Sequence, residues 1–570
     1  MVQDEIRSAV SKATGLEPGE VHLETPEIEA HGDFATNTAM VMGKKEGKNP
    51  RELAEEIKAK LEKDEDLSEY VEKIEIAGPG FINFWLVQSY LVSNMASILE
   101  SDDFSRSDAF KGKKYMFEFA HPNTHKELHI GHMRTLILGE ALARMYTTTG
   151  ADVYRANYQG DIGPHVAKAI WGTQKLLDEG GQTWEDAEKL SDNEKAHLLG
   201  EGYVRGVKDY EDEELKDQID ELNTKLYEKD ESVKDEYQRT RGWSLKYYDN
   251  FYERFYTKYD KLYFESEVEA EGKSIVESNK GKVFEESEGA VIFDGEEYGL
   301  HKRVFITKDG NPTYEAKEMA LVPMQFGDFP FDKNVHVVAN EQKGYFEVVF
   351  KAVELIDDNF KGRLYHLPMG MVNLVGKKMS SRTGEIFKVD ELLGEVKELL
   401  KPLIDEDIKG EEKDEVLEMI TIGAVKYWML KTNPKMDIIF DIKKSVSLDG
   451  NSGPYLQYTY ARSRSVLRKA GVNEIEIEKK KESEFNESEL SLMRAFAQFQ
   501  GVIVDASKNY SPNLVCTYLF ELAQKFNSFY NSNKIIGGDN EEVRIALTAA
   551  TSEVLKEGLN LLGIKVPERM

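Results

Sequence analysis

At 570 residues the chain has room for three or four domains with cores of their own. It holds no run of about 18 apolar residues and no apolar leader, which argues against a transmembrane helix or a secretory signal, and its single cysteine, Cys516, excludes an internal disulfide framework and a Cys-based zinc site. The net charge of −30, from 74 Lys+Arg against 104 Asp+Glu, excludes a uniformly basic nucleic-acid binder but says nothing about any one face.

Residues 1–108 read as a small α+β unit. A helix over 51–62 follows Asn49-Pro50, an N-cap and a first-turn proline. Strands over 73–77 and 81–86 flank the Gly78-Pro79-Gly80 turn. The polar stretch 101–113 is the first boundary. A strand over 114–120, a helix over 130–148 and a strand over 152–158 then form a βαβ unit, expected to be right-handed within a parallel sheet. Met133, Ile137, Leu138, Ala141, Leu142 and Met145 mark that helix, and Gly150 stops it. The charged, helix-rich stretch that follows reads as an insertion at about 172–285. Strands over 290–293, 303–306 and 335–339 lead to a helix over 346–355, and the unit closes near 390. A helical linker over 391–450 precedes four amphipathic helices (456–470, 490–507, 513–531 and 541–562), which suggest a bundle over 451–570.

Two segments carry the chemistry. Pro122-Asn123-Thr124-His125-Lys126-Glu127-Leu128-His129-Ile130-Gly131-His132 runs from the end of a strand into a helix. That edge is where open α/β sheets bind ligands, and the helix start offers free N–H groups to phosphate. His129 and His132 there could donate hydrogen bonds to a phosphoryl group gaining charge, and Gly131 would permit close approach. The four histidines 121, 125, 129 and 132 also raise a metal reading, but Pro122 disfavours a common helical face and no acid or thiol ligand lies nearby. The second segment, Lys377-Lys378-Met379-Ser380-Ser381-Arg382, is a lysine-rich loop flanked by Gly376 and Gly384. Arg462, Arg464, Arg468 and Lys469 form a local basic run, as suited to a solvated helix face as to a nucleic acid.

These two segments resemble the HIGH and KMSKS signatures of class I aminoacyl-tRNA synthetases. The chain as a whole resembles the arginyl-tRNA synthetase family, archaeal-like in motif detail. The resemblance is carried further by 31–37 (His-Gly-Asp-Phe-Ala-Thr-Asn), by 157–163, by Phe440-Asp441 with 450–458, by 526–530 and by the terminal 567–570. It implies an α/β fold: a Rossmann-like parallel-sheet catalytic domain with a helical insertion, a small α+β N-terminal domain that contacts the tRNA D-loop, and a C-terminal all-α anticodon-binding bundle. It implies arginine–tRNA ligase activity with His129, His132 and Lys378 as catalytic residues. ATP would lie against Pro122, Gly131, His129, His132, Met379, Ser380 and Ser381, and arginine against Glu118, Asn123, Tyr314, Glu318 and Gln342. Asn37, Tyr455, Gln457, Arg462 and Arg464 would meet tRNA. ATP would bring Mg²⁺, no protein-bound metal is expected, and the expectation is a cytoplasmic monomer. A guanidinium suits carboxylates in fork geometry.

Two positions depart from the family pattern: Glu318 replaces the usual Asp, and Ser381 replaces the second lysine of KMSKS. Rival readings are a catalytically silent tRNA-binding paralogue, or a glutamyl or cysteinyl enzyme. The first should have lost phosphate-handling residues, the cysteinyl case needs thiols, and the glutamyl case needs cations where Glu118 and Glu318 stand.

Overall fold

The computed structural model describes residues 1–26, 28–375, 388–472 and 484–570. In the N-terminal region β1 (Leu23–Glu24), β2 (Phe34–Thr36), β3 (Val71–Ala77) and β4 (Phe81–Leu86) form an antiparallel sheet of order β1-β2-β4-β3. The helix Pro50–Leu61 begins as its sequence predicts, with the Asn49 side chain accepting from the Arg51 N–H at 2.9 Å. Gly32 has φ 98°, and a Cβ there would stand 2.7 Å from the Phe84 carbonyl oxygen, so only glycine fits.

The central sheet is wholly parallel. β5 (Lys114–Glu118) lies in its middle and β6 (Asp152–Gln159) and β7 (Lys261–Phe264) follow on one side. A separate antiparallel sheet of β8 (Glu285–Ser287), β9 (Ala290–Phe293) and β10 (Arg303–Ile306) comes next in the chain. β11 (Lys333–Ala339) and β12 (Leu364–Met369) then return to the other side of β5, giving the order β12-β11-β5-β6-β7. The helix Ile130–Thr148 has the bounds its periodicity predicts. It lies so close to the sheet that a Cβ at Gly139 would overlap the Phe119 side chain.

The helical insertion, from Pro164–Glu179 to Lys234–Arg254, is shorter than the expected 172–285. β7 falls inside that span and pairs in parallel with β6, because its four residues are too short and too interleaved with lysine and tyrosine to stand out from charged helix. The strands over 290–293 and 303–306 are real, but they build the antiparallel side sheet rather than the central one.

Beyond the sheet, β13 (Val372–Leu374) pairs in parallel with β14 (Ile438–Phe440), a strand inside the stretch read as a helical linker. The long helices Glu411–Leu430, Gly453–Ala470, Glu487–Lys508, Asn513–Ser532 and Glu541–Leu561 complete the chain. One apolar cluster runs from the N-terminal region through the Ile130–Thr148 helix into these helices. Across this joint Tyr146 donates to the Ser507 carbonyl at 3.0 Å, and Arg494 stands 3.1 Å from Asp33. The helix Gln88–Glu100, inside the region read as N-terminal, packs on both Glu487–Lys508 and Glu541–Leu561.

Candidate active site

β5 ends at Glu118, and the loop after it is held in a strained path. Ala120 (φ 80°), His121 (φ 51°) and His125 (φ 65°) all have left-handed backbones without being glycine, at a cost of about 1–2 kcal/mol each. Several bonds offset this. The Thr124 N–H donates to the Gly160 carbonyl at 2.8 Å, and the Tyr248 hydroxyl reaches the carbonyls of Asn123 (2.6 Å) and Lys126 (2.8 Å). His125 is fully buried between the Thr124 and Thr240 hydroxyls at 2.9 and 2.8 Å. Burial pulls its pKa to about 3, so it acts as a neutral clamp between loop and insertion. Pro122 is buried and Asn123 half-buried beside Gly160, with which Asn123 forms a parallel bridge.

The loop delivers His129 to the N-cap of the Ile130–Thr148 helix. Its Nδ1 accepts from the N–H groups of Gly131 (3.1 Å) and His132 (3.4 Å), and the His129 N–H donates back to His132 Nδ1 at 3.4 Å. The two rings stack with centroids 3.6 Å apart. An Nδ1 that accepts leaves the ring proton on Nε2, so both neutral rings keep an outward donor. Burial, then the Lys126 charge, lowers His129 to about 4, and burial with the His129 ring beside it holds His132 well below its usual value. Gly131 serves the ring as much as any ligand: a Cβ there would meet His129 Cε1 at 2.9 Å.

Across the carboxyl edge of the sheet sit two buried carboxylates. Glu118 and His336 are register partners on β5 and β11, with His336 Nδ1 3.3 Å and His121 Nδ1 3.5 Å from Glu118 Oε1. The Gln325 amide donates to Glu118 Oε2 and accepts from Asn334 at 2.9 Å. Burial works to raise the Glu118 pKa, but His336, His121 and the Gln325 donor together hold it below the ordinary range. Glu318, on the helix Tyr314–Asp328, has the opposite balance. Burial and the Glu118 charge push its pKa well above normal; Tyr345 donates to its Oε1 at 3.3 Å, and its Oε2 is sealed from solvent without a partner. The buried ion pair Lys317–Glu265 (2.5 Å) stands beside it. Tyr314 is 54% exposed one turn before Glu318, and Gln342 is exposed in the short turn after β11. The structure therefore brings Glu118 and Glu318 together and places Asn123, Tyr314 and Gln342 along the same edge of the sheet. Sequence reasoning missed Tyr345, Gln325 and His336, single polar residues whose partners lie on other elements, and gave Tyr158 no role although it stands in the 157–163 segment.

Arg134, also missed, is 1% exposed and donates to four main-chain carbonyls. Gly370 and Met371 (3.0 Å) lie at the lead-in to β13; Pro434 (3.1 Å) and Met436 (2.8 Å) lie before β14. It thus ties the histidine helix to both strands of the small sheet. Lys378, Met379, Ser380 and Ser381 lie outside the described residues. Lys388, the first described residue beyond them, forms a bridge with His129 and an ion pair with Glu127 at 2.8 Å. Among the described residues no group of three or more His, Cys, Asp or Glu side chains is placed to hold a metal ion.

Residues expected to face tRNA divide. Arg462 lies between the rings of Tyr458 (4.8 Å) and Tyr530 (5.4 Å) and donates to Asn527 at 2.6 Å. It lines an open cleft of about 640 Å³ with Arg468, Lys469 and Arg569. Tyr455 is half-buried, its hydroxyl accepting from Asn527 at 2.9 Å. Arg464 is paired with Glu568 at 2.9 Å. Gln457 is fully buried, donating to the carbonyls of Met419 (3.2 Å) and Lys565 (2.7 Å), so it holds the C-terminal segment and cannot reach tRNA. Asn37 stands at the N-cap position of the helix Thr38–Glu46, but its side chain makes no capping bond and its Oδ1 is sealed from solvent without a partner.

A parallel sheet whose central strand feeds a histidine-capped helix, with a helical bundle beyond it, fits the architecture of a class I aminoacyl-tRNA synthetase. The comparisons agree: residues 94–442 match the family model "tRNA synthetases class I (R), catalytic domain", residues 1–86 the arginyl tRNA synthetase N terminal domain and residues 456–570 the DALR anticodon binding domain. The chain is 33% identical to an arginine–tRNA ligase of Fusobacterium nucleatum, covering 97% of this chain and 96% of that one. It is 32% identical to that of Treponema denticola, over 97% and 95%. The arginyl-tRNA synthetase structure of Thermus thermophilus superposes with a TM-score of 0.84 at 25% identity, covering all of both chains. The chain belongs to the arginyl-tRNA synthetase family, whose reaction is the ATP-driven attachment of arginine to tRNA.

Proposed function

We propose that the chain works as an arginine–tRNA ligase in which substrate choice and phosphate handling sit at two adjoining places on one sheet edge. The arginine side chain enters between Glu118 and Glu318, with Asn123, Tyr314 and Gln342 around it. The observation that carries this is Glu318 Oε2, a buried carboxylate oxygen without a partner in a pocket that already holds a second carboxylate. Such a site is incomplete until a cation with several donors arrives, and a guanidinium is one.

ATP, entering as its Mg²⁺ complex, lies against Pro122, Gly131 and the two histidines. The arginine carboxylate attacks the α-phosphate, forming arginyl-adenylate and releasing pyrophosphate. His129 and His132 donate from Nε2 to the oxygens that gain charge in that step, with the helix start adding its own dipole. Lys378, with Met379, Ser380 and Ser381, would accompany the departing phosphates. The 2′-hydroxyl of the terminal tRNA adenosine then takes the arginyl group. The Tyr458–Arg462–Tyr530 cleft supports tRNA contact on the bundle, since guanidinium and aromatic faces together suit unpaired bases. Cys516 is buried and free, and a cytoplasmic monomer is part of the same proposal. No described helix is long and apolar enough to cross a membrane.

Aminoacylation kinetics of two variants test the division. Glu318→Gln should raise the arginine KM and leave the ATP KM alone, whereas His132→Asn should lower kcat and leave the arginine KM alone. The opposite pattern would reverse the two assignments.

A further inference from the structure

Tyr158 stands on β6 two residues beyond Ala156, the register partner of Glu118, and strand alternation puts Tyr158 and Ala156 on one face. Glu118 and His336 are register partners in turn, so Tyr158, Glu118 and His336 share that face. The helix Tyr314–Asp328, which carries Glu318 and Gln325, covers it. The Tyr158 ring is half-buried, while its hydroxyl oxygen is sealed from solvent and has no hydrogen-bond partner. Glu318 Oε2 is in the same condition. After burial, the charges of Glu265, Glu318 and Glu118 are what push the Tyr158 pKa upward, so the phenol sits among carboxylates and stays protonated.

Several buried polar atoms around Glu118 lack partners, Asn334 Oδ1 and the His336 ring nitrogens among them; the Tyr158 hydroxyl and Glu318 Oε2 are the two of these that lie among acids, and leaving them unpaired is costly unless a ligand satisfies both. A guanidinium carries five N–H donors and no acceptor, so it meets a carboxylate and a phenol oxygen at once. We propose that Tyr158 is a specificity-determining residue for the arginine reaction, its hydroxyl accepting from the substrate guanidinium beside Glu318. This rests on the assignment of the Glu318 pocket to arginine. A hydrogen-bonding site of this kind rejects analogues that leave its groups unpaired more strongly than an apolar pocket rejects a change of size.

The test compares Tyr158→Phe, Glu318→Gln and the parent protein in aminoacylation, with the melting temperature of each ligand-free protein recorded. Tyr158→Phe should raise the arginine KM about tenfold, as loss of one hydrogen bond in a closed site does, with the KM values for ATP and tRNA unchanged. Its ligand-free melting temperature should not fall, because the hydroxyl removed had no partner. An unchanged arginine KM in Tyr158→Phe alongside a raised one in Glu318→Gln overturns the role of Tyr158 and leaves the pocket standing. Unchanged values in both variants overturn the pocket and this inference together. A fall in melting temperature, or failure to fold, shows that the hydroxyl has a protein partner and also overturns it. A raised ATP KM would place Tyr158 at the nucleotide instead, and so contradict it.

Discussion

Binding of arginine at Glu318 should release a proton. In the ligand-free protein Glu318 is held protonated, because burial and the Glu118 charge push its pKa well above the ordinary range. Glu118 is held ionised by His336, His121 and the Gln325 amide. A bound guanidinium supplies the cation the pocket lacks, and the Glu318 pKa then drops. The sign follows directly. Below the raised pKa arginine must displace a proton, so affinity climbs with pH; above it the carboxylate is already ionised and affinity levels off. With one group titrating the slope reaches at most tenfold per pH unit, about 1.4 kcal/mol. Glu118 is ionised already, so Glu318 is the carboxyl from which arginine must displace the proton. Calorimetric titration of arginine into the protein at about pH 6, in two buffers of different ionisation enthalpy, measures the protons released. The expected number is above zero wherever the pH lies below the raised Glu318 pKa and vanishes in Glu318→Gln, which also loses roughly 2–4 kcal/mol of arginine affinity. A binding enthalpy independent of buffer, with affinity flat in pH, would refute the reasoning.

Replacing either ring of the histidine pair, as His129→Asn or His132→Asn, should lower kcat about 10²–10³-fold, the usual effect of losing one donor to a charge-gaining oxygen. Because the His129 pKa is lowered to about 4, the ring is neutral across neutral pH and its contribution should stay constant there; a kcat step near the ordinary histidine value would contradict this. Arg134→Met strips the shared charged donor from four main-chain carbonyls, those of Gly370 and Pro434 buried and those of Met371 and Met436 part-buried, and should cost about 1–3 kcal/mol in urea unfolding; a loss well under 1 kcal/mol, about what a surface position gives, would not fit. Removing residues 1–86 should lower the melting temperature as well as tRNA affinity, because Gln3 packs against Gly501 and Asp33 pairs with Arg494. An unchanged melting temperature would mean that the joint contributes little.

Much of this architecture was legible because local rules and tertiary packing agree. The helix Ile130–Thr148 and the bundle helices show clean 3.6-residue periodicity, and Asn49-Pro50 starts its helix through a cap visible in the sequence. His129 and His132 could be read as a pair because they stand together at a strand-to-helix edge in a segment that resembles a known signature; the reciprocal cap they form emerged only in the structure. What escaped reading depends on distant partners. Arg134 looks like an ordinary polar position on a helix, yet its acceptors lie at 370–371 and 434–436. His125 carried the same spacing as its neighbours, and only the insertion's Thr240 and Ser244 make it a clamp. Gln457 and Asn37 belong to family-like segments, but burial decides what they touch. β7 and β14 are too short for periodicity to reveal.

The central claim is that the paired carboxylates of this sheet edge select arginine for activation beside the two histidines. ATP–pyrophosphate exchange with each of the twenty amino acids, in the presence of total tRNA, tests it most directly. Arginine alone should support exchange above background. Equal exchange with lysine, glutamate or any other amino acid, or none with arginine, would contradict the account.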